Sequence, residues 1–310
     1  MAVKRPRALA YGLGRDSTAV LVGWHQRGIR PDHILFADVG SEKPETYAYL
    51  PIIRAWLKKV DFPDVTVVKY VPKIAPYTTI EGNCTQNCTL PGITFGRASC
   101  TVKWKIEPQN KHCRSLPDLK ACWESGQTVI KAIGYEADET KRRNKVHGKT
   151  DPLYEYEYPL MDWGWTLDIC KEQIIAAGLP VPPKSACFFC ASMKPQEVRD
   201  LNPELRGRII RMEIAAEPYN TKVHGLWRKP RKRDARPGSI TEFILQEDLE
   251  FVHPDDLSDE MPLNPACSQA KTGYTMKPPH LATSLSETLA EHMLSKGDEQ
   301  LLHEILIDFL

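Results

Sequence analysis

The sequence predicts an α/β protein with a doubly wound parallel sheet, because short apolar strands alternate with helices in its first half. Residues 7–11 form an apolar run, a glycine-containing turn follows, and residues 18–26 have the pattern of a helix. Residues 33–37 and 65–70 have the pattern of buried strands on either side of a long helix at residues 45–59. In such a sheet, ligands bind beyond the carboxyl ends of the strands.

The rest of the chain predicts an insertion and a separate C-terminal region. Residues 71–127 are rich in Cys, Gly and Pro and are expected to be irregular, and the strand pattern resumes at residues 128–134. A further helix with a threonine N-cap is expected at residues 166–177. We therefore predict a main domain at residues 1–238 with a Cys-rich insertion, and an acidic, mostly helical region at residues 239–310.

Length and composition exclude several classes of protein. With 310 residues, of which 42% are hydrophobic, the chain is long enough to bury a substantial core. It has no window of 18 apolar residues, and its basic N-terminus leads into only a short apolar run, so we predict neither secretion nor membrane insertion. Nine cysteines at irregular spacing favour a reducing compartment and a metal site over a disulfide framework. The expected location is the cytoplasm.

Charge is distributed unevenly along the chain, although the net charge is only +1. Residues 241–310 hold 14 acidic and 3 basic side chains, a net charge of −11, which leaves 38 basic and 26 acidic side chains, a net charge of +12, in residues 1–240. Residues 227–236 carry six cations around one aspartate, enough to contact a nucleic-acid backbone. We therefore expect phosphate-rich ligands, with DNA or RNA as a candidate partner of residues 227–236. A solvated basic surface or a basic linker is the alternative.

A glycine-containing turn joins the first predicted strand to the first predicted helix. Gly12, Gly14, Asp16, Ser17 and Thr18 lie in this turn. Backbone amides in such a turn, together with the amino end of the following helix, form a cradle for anions. No lysine occupies the position that a Gly-x-x-x-x-Gly-Lys-Ser/Thr loop requires, so the turn predicts a different kind of phosphate loop.

Two cysteines have the spacing of a shared metal site. Cys187 and Cys190 form a C-x-x-C pattern with two phenylalanines between them, after a Pro-rich turn. Two thiolates at this spacing can bind one metal ion. A redox pair or two core cysteines would give the same pattern.

The phosphate loop resembles that of a known superfamily. Residues 12–18 are similar to the Ser-Gly-Gly-x-Asp-Ser loop of PP-loop ATP pyrophosphatases, also called adenine nucleotide α-hydrolases. Gly12 stands where the superfamily usually has serine, and Leu13 replaces a glycine whose missing side chain lets the backbone approach phosphate. The resemblance implies that ATP binds here with Mg²⁺. The catalytic residues that it implies are Arg15, Asp16 and Ser17, and Arg15 adds a cation beside the phosphates.

Further segments narrow the resemblance to the phosphoadenosine phosphosulfate (PAPS) reductase family. Residues 35–47 look like the family's segment after the second strand, which flanks the adenosine, and residues 133–143 are similar to its Gly-x-x-x-x-Glu-Ser-x-x-Arg segment. Residues 158–166 look like its Pro-Leu-x-x-Trp stretch, so the resemblance spans roughly residues 7–200. The resemblance implies an adenine nucleotide α-hydrolase-like fold and nucleotide contacts by the following residues: Gly12, Gly14, Thr18, Asp38, Gly40, Gly134, Glu139 and Arg143.

The same resemblance extends to the cysteines. Residues 99–108 resemble the Cys-Thr-x-x-Leu-Lys-x-x-Pro segment of these reductases and of DNA phosphorothioation proteins, which supplies Cys100 as a third ligand. Cys84 occupies a place similar to a cysteine of phage-type relatives, and we choose it as the fourth ligand over Cys88 and Cys170. Four-thiolate sites suit zinc or a [4Fe–4S] cluster, and the resemblance favours the cluster. The predicted metal ligands are therefore Cys84, Cys100, Cys187 and Cys190.

The choice of reaction depends on a cysteine motif that this sequence lacks. Family members that form sulfite carry a cysteine in a C-terminal Glu-Cys-Gly-x-His motif, whereas Cys267 of this chain lies in Pro-Ala-Cys-Ser-Gln. We therefore predict an adenylyl-transferring enzyme that cleaves ATP between its α and β phosphates, with sulfur transfer to nucleic acid as one purpose. The alternatives are a sulfonucleotide reductase, and a weakly catalytic nucleotide-binding accessory protein of a phage, plasmid or CRISPR-type defence system. Whether the protein forms a homodimer is left open.

Overall fold

The computed structural model describes residues 4–73, 77–94, 97–140, 143, 151–220 and 223–257, together with residues 285, 288, 289 and 292. The chain forms two compact units. The first consists of Met1–Val71 and Cys100–Cys187, and the second consists of Pro72–Ser99 and Phe188–Leu310. Most of the predicted acidic region at residues 239–310 lies outside the described residues, and the predicted division at residue 238 stays a prediction.

The first unit is built on a parallel sheet. The strands of the described residues are, in chain order, β1 (Arg7–Tyr11), β2 (His33–Asp38), β3 (Val65–Lys69), β4 (Ile93–Thr94), β5 (Arg97–Ala98), β6 (Val129–Ile133) and β7 (Tyr154–Glu157). Five of them form one sheet in the order β3-β2-β1-β6-β7, and every neighbouring pair is parallel. The predicted α/β class and its parallel sheet are confirmed. The short strands β4 and β5 pair antiparallel in the second unit.

Helices cover both faces of this sheet. The α-helices of the described residues are α1 (Arg15–Gln26), α2 (Pro44–Lys59), α3 (Ile80–Gln86), α4 (Glu107–Cys113), α5 (Pro117–Glu124), α6 (Pro159–Asp162), α7 (Leu167–Ala176), α8 (Pro195–Arg199), α9 (Pro203–Ala216) and α10 (Ile240–Gln246). Successive side chains of a strand point to opposite faces. Leu9 and Phe36 accordingly pack with α1, α2 and α7, whereas Leu35 and Val129 pack with α4 and α5. Within the described part of the chain, no helix is long and apolar enough to cross a bilayer.

The segment that was predicted to be irregular contains regular helices, so this prediction is wrong. Residues 71–127 include α3, α4 and α5. Pro108 and Pro117 lie in the first turns of α4 and α5, where a proline is tolerated because its missing amide hydrogen has no partner in the helix. Cys113 of α4 and Cys122 of α5 are fully buried against the sheet. The prolines that suggested a loop are therefore helix starts.

A buried carboxylate organises the second unit. Glu213 of α9 is 1% exposed and accepts hydrogen bonds from the backbone amides of Leu226, Ile240 and Thr241 at 2.6, 3.1 and 2.7 Å. The hydroxyls of Ser239 and Thr241 also donate to it, each at 2.6 Å. Three of these donors lie in the first turn of α10, where backbone amides lack partners within the helix. Glu213 therefore joins α9 to the start of α10.

Candidate functional site

The phosphate loop lies where the strand order of the sheet reverses. β1 lies between β2 and β6, and the chain leaves β1 for α1 through the glycine-containing turn. At such a switch point the connections after neighbouring strands run to opposite faces, which leaves a crevice for a ligand. Gly14 is the N-cap of α1 and provides no side-chain cap for the first helical amides. Anions bind at amino ends of this kind.

Leu13 has a positive φ, a backbone conformation that glycine adopts far more readily than other residues. Its φ is 55°, in the left-handed region that costs a residue with a side chain about 1–2 kcal/mol. Its side chain is fully buried in the core beneath α1. Burying a leucine contributes about 1.5–3 kcal/mol, which offsets the strain. The loop therefore has a left-handed residue at position 13 although that residue carries a side chain.

Hydroxyl groups hold the loop in shape. The Ser17 hydroxyl accepts a hydrogen bond from the Gly12 amide at 3.2 Å and donates to the Gly14 carbonyl at 3.1 Å. The Thr18 hydroxyl and the Tyr11 phenol are hydrogen-bonded at 3.0 Å, and burial raises the pKa of Tyr11. The hydroxyls of Ser17 and Thr18 therefore position the backbone of the loop, and their predicted roles at a nucleotide site stay predictions.

A charged cluster lies at the start of α1. The Arg15 guanidinium donates to Asp16 Oδ1 at 3.1 Å and to Glu136 Oε1 at 2.9 Å. Burial, and after it a hydrogen bond with Glu136, raise the pKa of Asp16 to about 7, although the charge of Arg15 lowers it. A carboxyl group that titrates near neutral pH can accept or release a proton under physiological conditions. Sequence reasoning missed Glu136, although it lies three residues before Glu139 in the family-like segment.

Gly134 allows the connection after β6 to reach the loop. A Cβ atom at this position would lie 2.9 Å from both the Asp16 carbonyl carbon and the Ser17 amide nitrogen, so only glycine fits without a shift of the backbone. The charge of Glu139 also raises the pKa of Asp16. The Arg143 amide donates to the Glu139 carbonyl at 3.3 Å, and its guanidinium lies over the Tyr158 ring. The structure therefore brings Gly134 and Glu139 to the loop and places Arg143 one turn beyond.

Asp38 shapes the segment after β2. Its Oδ1 accepts hydrogen bonds from the Gly40 amide at 2.8 Å and from the Tyr47 hydroxyl at 2.7 Å, and Lys69 pairs with Oδ2 at 2.8 Å. Burial opposes the charge of Asp38, but these donors together lower its pKa. Gly40 has φ 69°, which suits glycine. These contacts show that Asp38 fixes the shape of this turn.

An ion pair between a buried carboxylate and a partly exposed lysine joins the segment after β2 to the segment after Cys100. Lys105 donates to Glu42 Oε1 at 2.8 Å, and the Glu42 side chain has no exposed surface. Among the described residues, Glu42 Oε2 has no hydrogen-bond partner. An unsatisfied buried oxygen costs about 1–3 kcal/mol, so this position suits a water molecule or a donor group of a ligand.

A segment that sequence reasoning missed lies over the phosphate loop. Residues 184–187 run beside the segment after β2, because the Lys43 amide donates to the Ala186 carbonyl at 3.3 Å and Glu42 forms a β-bridge with Cys187. The Ser185 hydroxyl lies above Gly12 and Gly14, as the contacts of these glycines show. The sequence offered only a serine between a Pro-rich turn and the C-x-x-C pattern, which is a weak signal.

The four predicted metal ligands are not disulfide-bonded. Cys84 is buried on α3, Cys100 precedes a π-helix at Thr101–Ile106, and Cys187 and Cys190 are partly exposed. Among the residues that the structure describes, no group of three or more His, Cys, Asp or Glu side chains is arranged to hold a metal ion. The four-cysteine site therefore stays a prediction.

In the second unit, Arg208 of α9 contacts Glu81, which precedes Cys84, and Phe188, which follows Cys187. It forms a bidentate ion pair with Glu81, which lies one turn before Cys84 on α3. Its guanidinium also lies over the Phe188 ring, 4.7 Å from the ring centroid. Phe188 and Phe189 are almost fully buried. The aromatic residues of the C-x-x-C pattern are therefore core residues of this unit.

The basic tract forms a hairpin in the second unit, so the linker alternative does not describe it. Arg231 and Arg236 exchange two backbone hydrogen bonds at 2.7 and 3.1 Å around a short 3-10 helix, and Asp234 pairs with Arg231. The base of the hairpin is fixed by Trp227, whose indole donates to the Met193 carbonyl at 3.0 Å beneath the Arg236 guanidinium. Three further cations of the tract are exposed: Lys229, Lys232 and Arg233.

Comparison with known proteins adds no relative. No protein-family model matches the chain, and no curated protein matches it significantly. The resemblance described above therefore rests on the quoted segments alone.

Proposed function

We propose that the chain is an ATP-binding PP-loop enzyme of the PAPS reductase family, which cleaves ATP between its α and β phosphates and adenylates a substrate. One observation carries the proposal. The glycine-containing loop between β1 and α1 faces Gly134 and Glu136 at the switch point of a parallel sheet. Asp16, whose pKa is about 7, and Arg15 lie at this contact. In open parallel sheets, ligands bind in the crevice at this switch point.

The loop residues divide the work of binding and proton transfer. The amino end of α1 binds phosphate oxygens, and Arg15 places a cation beside the charge that develops on the leaving pyrophosphate. Asp16, whose pKa is raised to about 7, accepts as the carboxylate the proton of the attacking hydroxyl of the substrate, while the bond between the α and β phosphates breaks and pyrophosphate leaves. Mg²⁺ bound with the nucleotide would neutralise the phosphates.

The segment after β2 forms the adenosine side of the site. Its buried polar residues and the turn at Gly40 are fixed by Asp38, as the family resemblance requires for a segment that flanks adenosine. We extend the proposal to the doubly wound adenine nucleotide α-hydrolase-like fold, supported by the strand order and by helices on both faces of the sheet.

The cysteines and the basic hairpin enter the proposal as partners of this reaction. Cys84, Cys100, Cys187 and Cys190 are proposed to hold a [4Fe–4S] cluster, with zinc as the alternative, on the C-x-x-C spacing and the family-like segment at Cys100. The exposed cations of the hairpin are proposed to contact DNA or RNA, because they project from an anchored loop. A cytoplasmic location follows from the proposed reduced cysteines.

Product analysis tests the reaction. The protein is incubated anaerobically with ATP or with PAPS, each with and without DNA or RNA, and pyrophosphate and sulfite are measured. The proposed function predicts pyrophosphate from ATP, in an amount that rises with the correct acceptor and disappears in an Asp16→Ala/Ser17→Ala variant. Sulfite from PAPS would instead establish the reductase. Nucleotide binding without either product would establish the accessory role.

A further inference from the structure

The segment at residues 184–187 spans the two halves of the proposed nucleotide site. Its Ala186 carbonyl accepts a hydrogen bond from Lys43 and its Cys187 is bridged to Glu42, so one end is attached to the connection after β2. Its Ser185 lies over the turn after β1. Because the carboxyl ends of neighbouring parallel strands meet at one edge of the sheet, this segment lies above the crevice in which the nucleotide is proposed to bind.

Ser185 lies so close to the phosphate loop that the two glycines of the loop are needed to make room for it. A Cβ atom on Gly14 would lie 2.5 Å from the Ser185 hydroxyl oxygen and 3.3 Å from the Ser185 amide nitrogen. A Cβ atom on Gly12 would lie 3.3 Å from the same hydroxyl oxygen. Alanine at either position would therefore crowd Ser185, most severely at Gly14. The hydroxyl lies directly above the backbone of the phosphate loop.

Ser185 has two hydrogen-bond donors, its hydroxyl and its backbone amide. Among the described residues, neither its hydroxyl nor its amide has a hydrogen-bond partner. The other serine of the site differs, because the Ser17 hydroxyl is engaged by both Gly12 and Gly14. Ser185 is only partly buried, so its donors are accessible to a ligand that enters the crevice.

We propose that Ser185 is a phosphate-binding residue, whose hydroxyl and amide donate to phosphate oxygens of the nucleotide and close the cradle formed by the loop and the amino end of α1. This inference rests on the proposed function. A hydrogen bond to a charged phosphate is stronger than one between neutral groups, and its loss corresponds to about a tenfold change in affinity. Since the amide remains when the side chain is removed, truncation of Ser185 weakens binding without abolishing it.

The rival reading of the same geometry is that the Ser185 side chain fills the space that a phosphate would need. The two readings predict opposite effects of removing the hydroxyl. If Ser185 donates to phosphate, Ser185→Ala and Ser185→Gly bind phosphate-containing ligands more weakly. If it fills the space, both variants bind them more tightly.

Calorimetry with the full chain distinguishes these readings. ATP, inorganic pyrophosphate and adenosine are titrated into the wild type, Ser185→Ala, Ser185→Gly and Ser185→Thr, with exposed Ser115→Ala as the matched control. The proposal predicts that Ser185→Ala and Ser185→Gly lose about tenfold in affinity for ATP and pyrophosphate, and that their adenosine affinity is unchanged. Ser185→Thr keeps the hydroxyl and should stay within about threefold of the wild type.

Each outcome decides the matter. Unchanged or tighter binding of ATP and pyrophosphate by folded Ser185→Ala or Ser185→Gly, as shown by a melting curve, overturns the role of Ser185. If one variant does not fold, the other carries the test. Failure of the wild type to bind ATP or pyrophosphate overturns both this inference and the proposed function. Weakened pyrophosphate binding by the variants in a protein that does not cleave ATP supports Ser185 and overturns the proposed reaction alone.

Discussion

Replacing Asp16 with asparagine should make the protein more stable at pH 8, although it removes a residue of the proposed site. The folded-state pKa of Asp16 is raised from 3.8 to about 7 by burial and by Glu136. The folded state therefore retains a proton that the unfolded state has lost between these two pH values. Stability falls as the pH rises through this window, because the folded state must bear an unfavourable charge. Asparagine resembles the protonated carboxyl and carries no such charge.

The magnitude follows from the size of the pKa shift. Between the unfolded and the folded pKa, the free energy of unfolding of the wild type falls by about 1.4 kcal/mol per pH unit. The stability advantage of Asp16→Asn over the wild type should therefore grow by about 2–3 kcal/mol between pH 5 and pH 8. The charged groups that act on Asp16 are Arg15, Glu136 and Glu139, and the buried thiol of Cys170 lies near the same cluster. Burial raises the pKa of Cys170 to about 12, so this thiol stays neutral across the range.

Urea unfolding of the wild type and Asp16→Asn at pH 5 and pH 8 measures this change. Asp32 supplies a control of opposite sign. Burial opposes its charge, but Lys4 and the Arg7 amide together lower its pKa from 3.8, so its stabilising contribution is nearly complete at pH 5 and changes little up to pH 8. Asp32→Asn should therefore be less stable than the wild type by a similar amount at both pH values. An Asp16→Asn advantage that does not increase from pH 5 to pH 8 would refute the assignment of a neutral pKa to this carboxyl.

Further predictions concern the loop, the second unit and the hairpin. Leu13→Gly should be at least as stable as Leu13→Ala in urea unfolding, because both lose the buried side chain but only glycine relieves the left-handed strain, about 1 kcal/mol; a clearly more stable alanine variant would count against that conformation. Glu213→Gln should lose about 3 kcal/mol in the same assay, since an amide cannot accept the five hydrogen bonds that the carboxylate accepts, and wild-type stability would show that these bonds contribute little. Neutralising Lys229, Lys232 and Arg233 should make the dependence of DNA or RNA affinity on salt less steep, by up to about 2.7 in the log–log slope for duplex DNA. A control that removes three exposed cations of α2 should leave the slope unchanged, and equal slopes for the two variants would remove the hairpin as the contact surface.

The strand pattern and the first loop were readable from the sequence because both depend on local signals. Apolar runs of strand length and a glycine-containing turn before an amphipathic segment specify β1 and α1 over a short stretch of chain. The conformation of Leu13 was not readable, because a leucine gives no local indication of a positive φ. The strain of this conformation is offset by the burial of the Leu13 side chain in the core, which depends on residues distant in sequence.

Other parts of the site depend on contacts between residues that are distant in sequence. Ser185 reaches Gly14, and Glu136 reaches Arg15, because the order of the strands brings three connections to one edge of the sheet. No local pattern encodes that proximity. The helices within residues 71–127 were missed for a different reason, since a proline at a helix start gives the same sequence signal as a proline in a loop.

The most direct test of the central claim is a calorimetric titration of ATP into the wild type and into an Asp16→Ala/Ser17→Ala variant. The double substitution removes the Asp16 carboxyl, whose pKa is about 7, and the Ser17 hydroxyl, which is hydrogen-bonded to both Gly12 and Gly14. The account predicts that the wild type binds ATP and that the variant binds it at least about tenfold more weakly, a loss of about 1.4 kcal/mol. Equal affinities in two folded proteins, or no binding of ATP by the wild type, would contradict it.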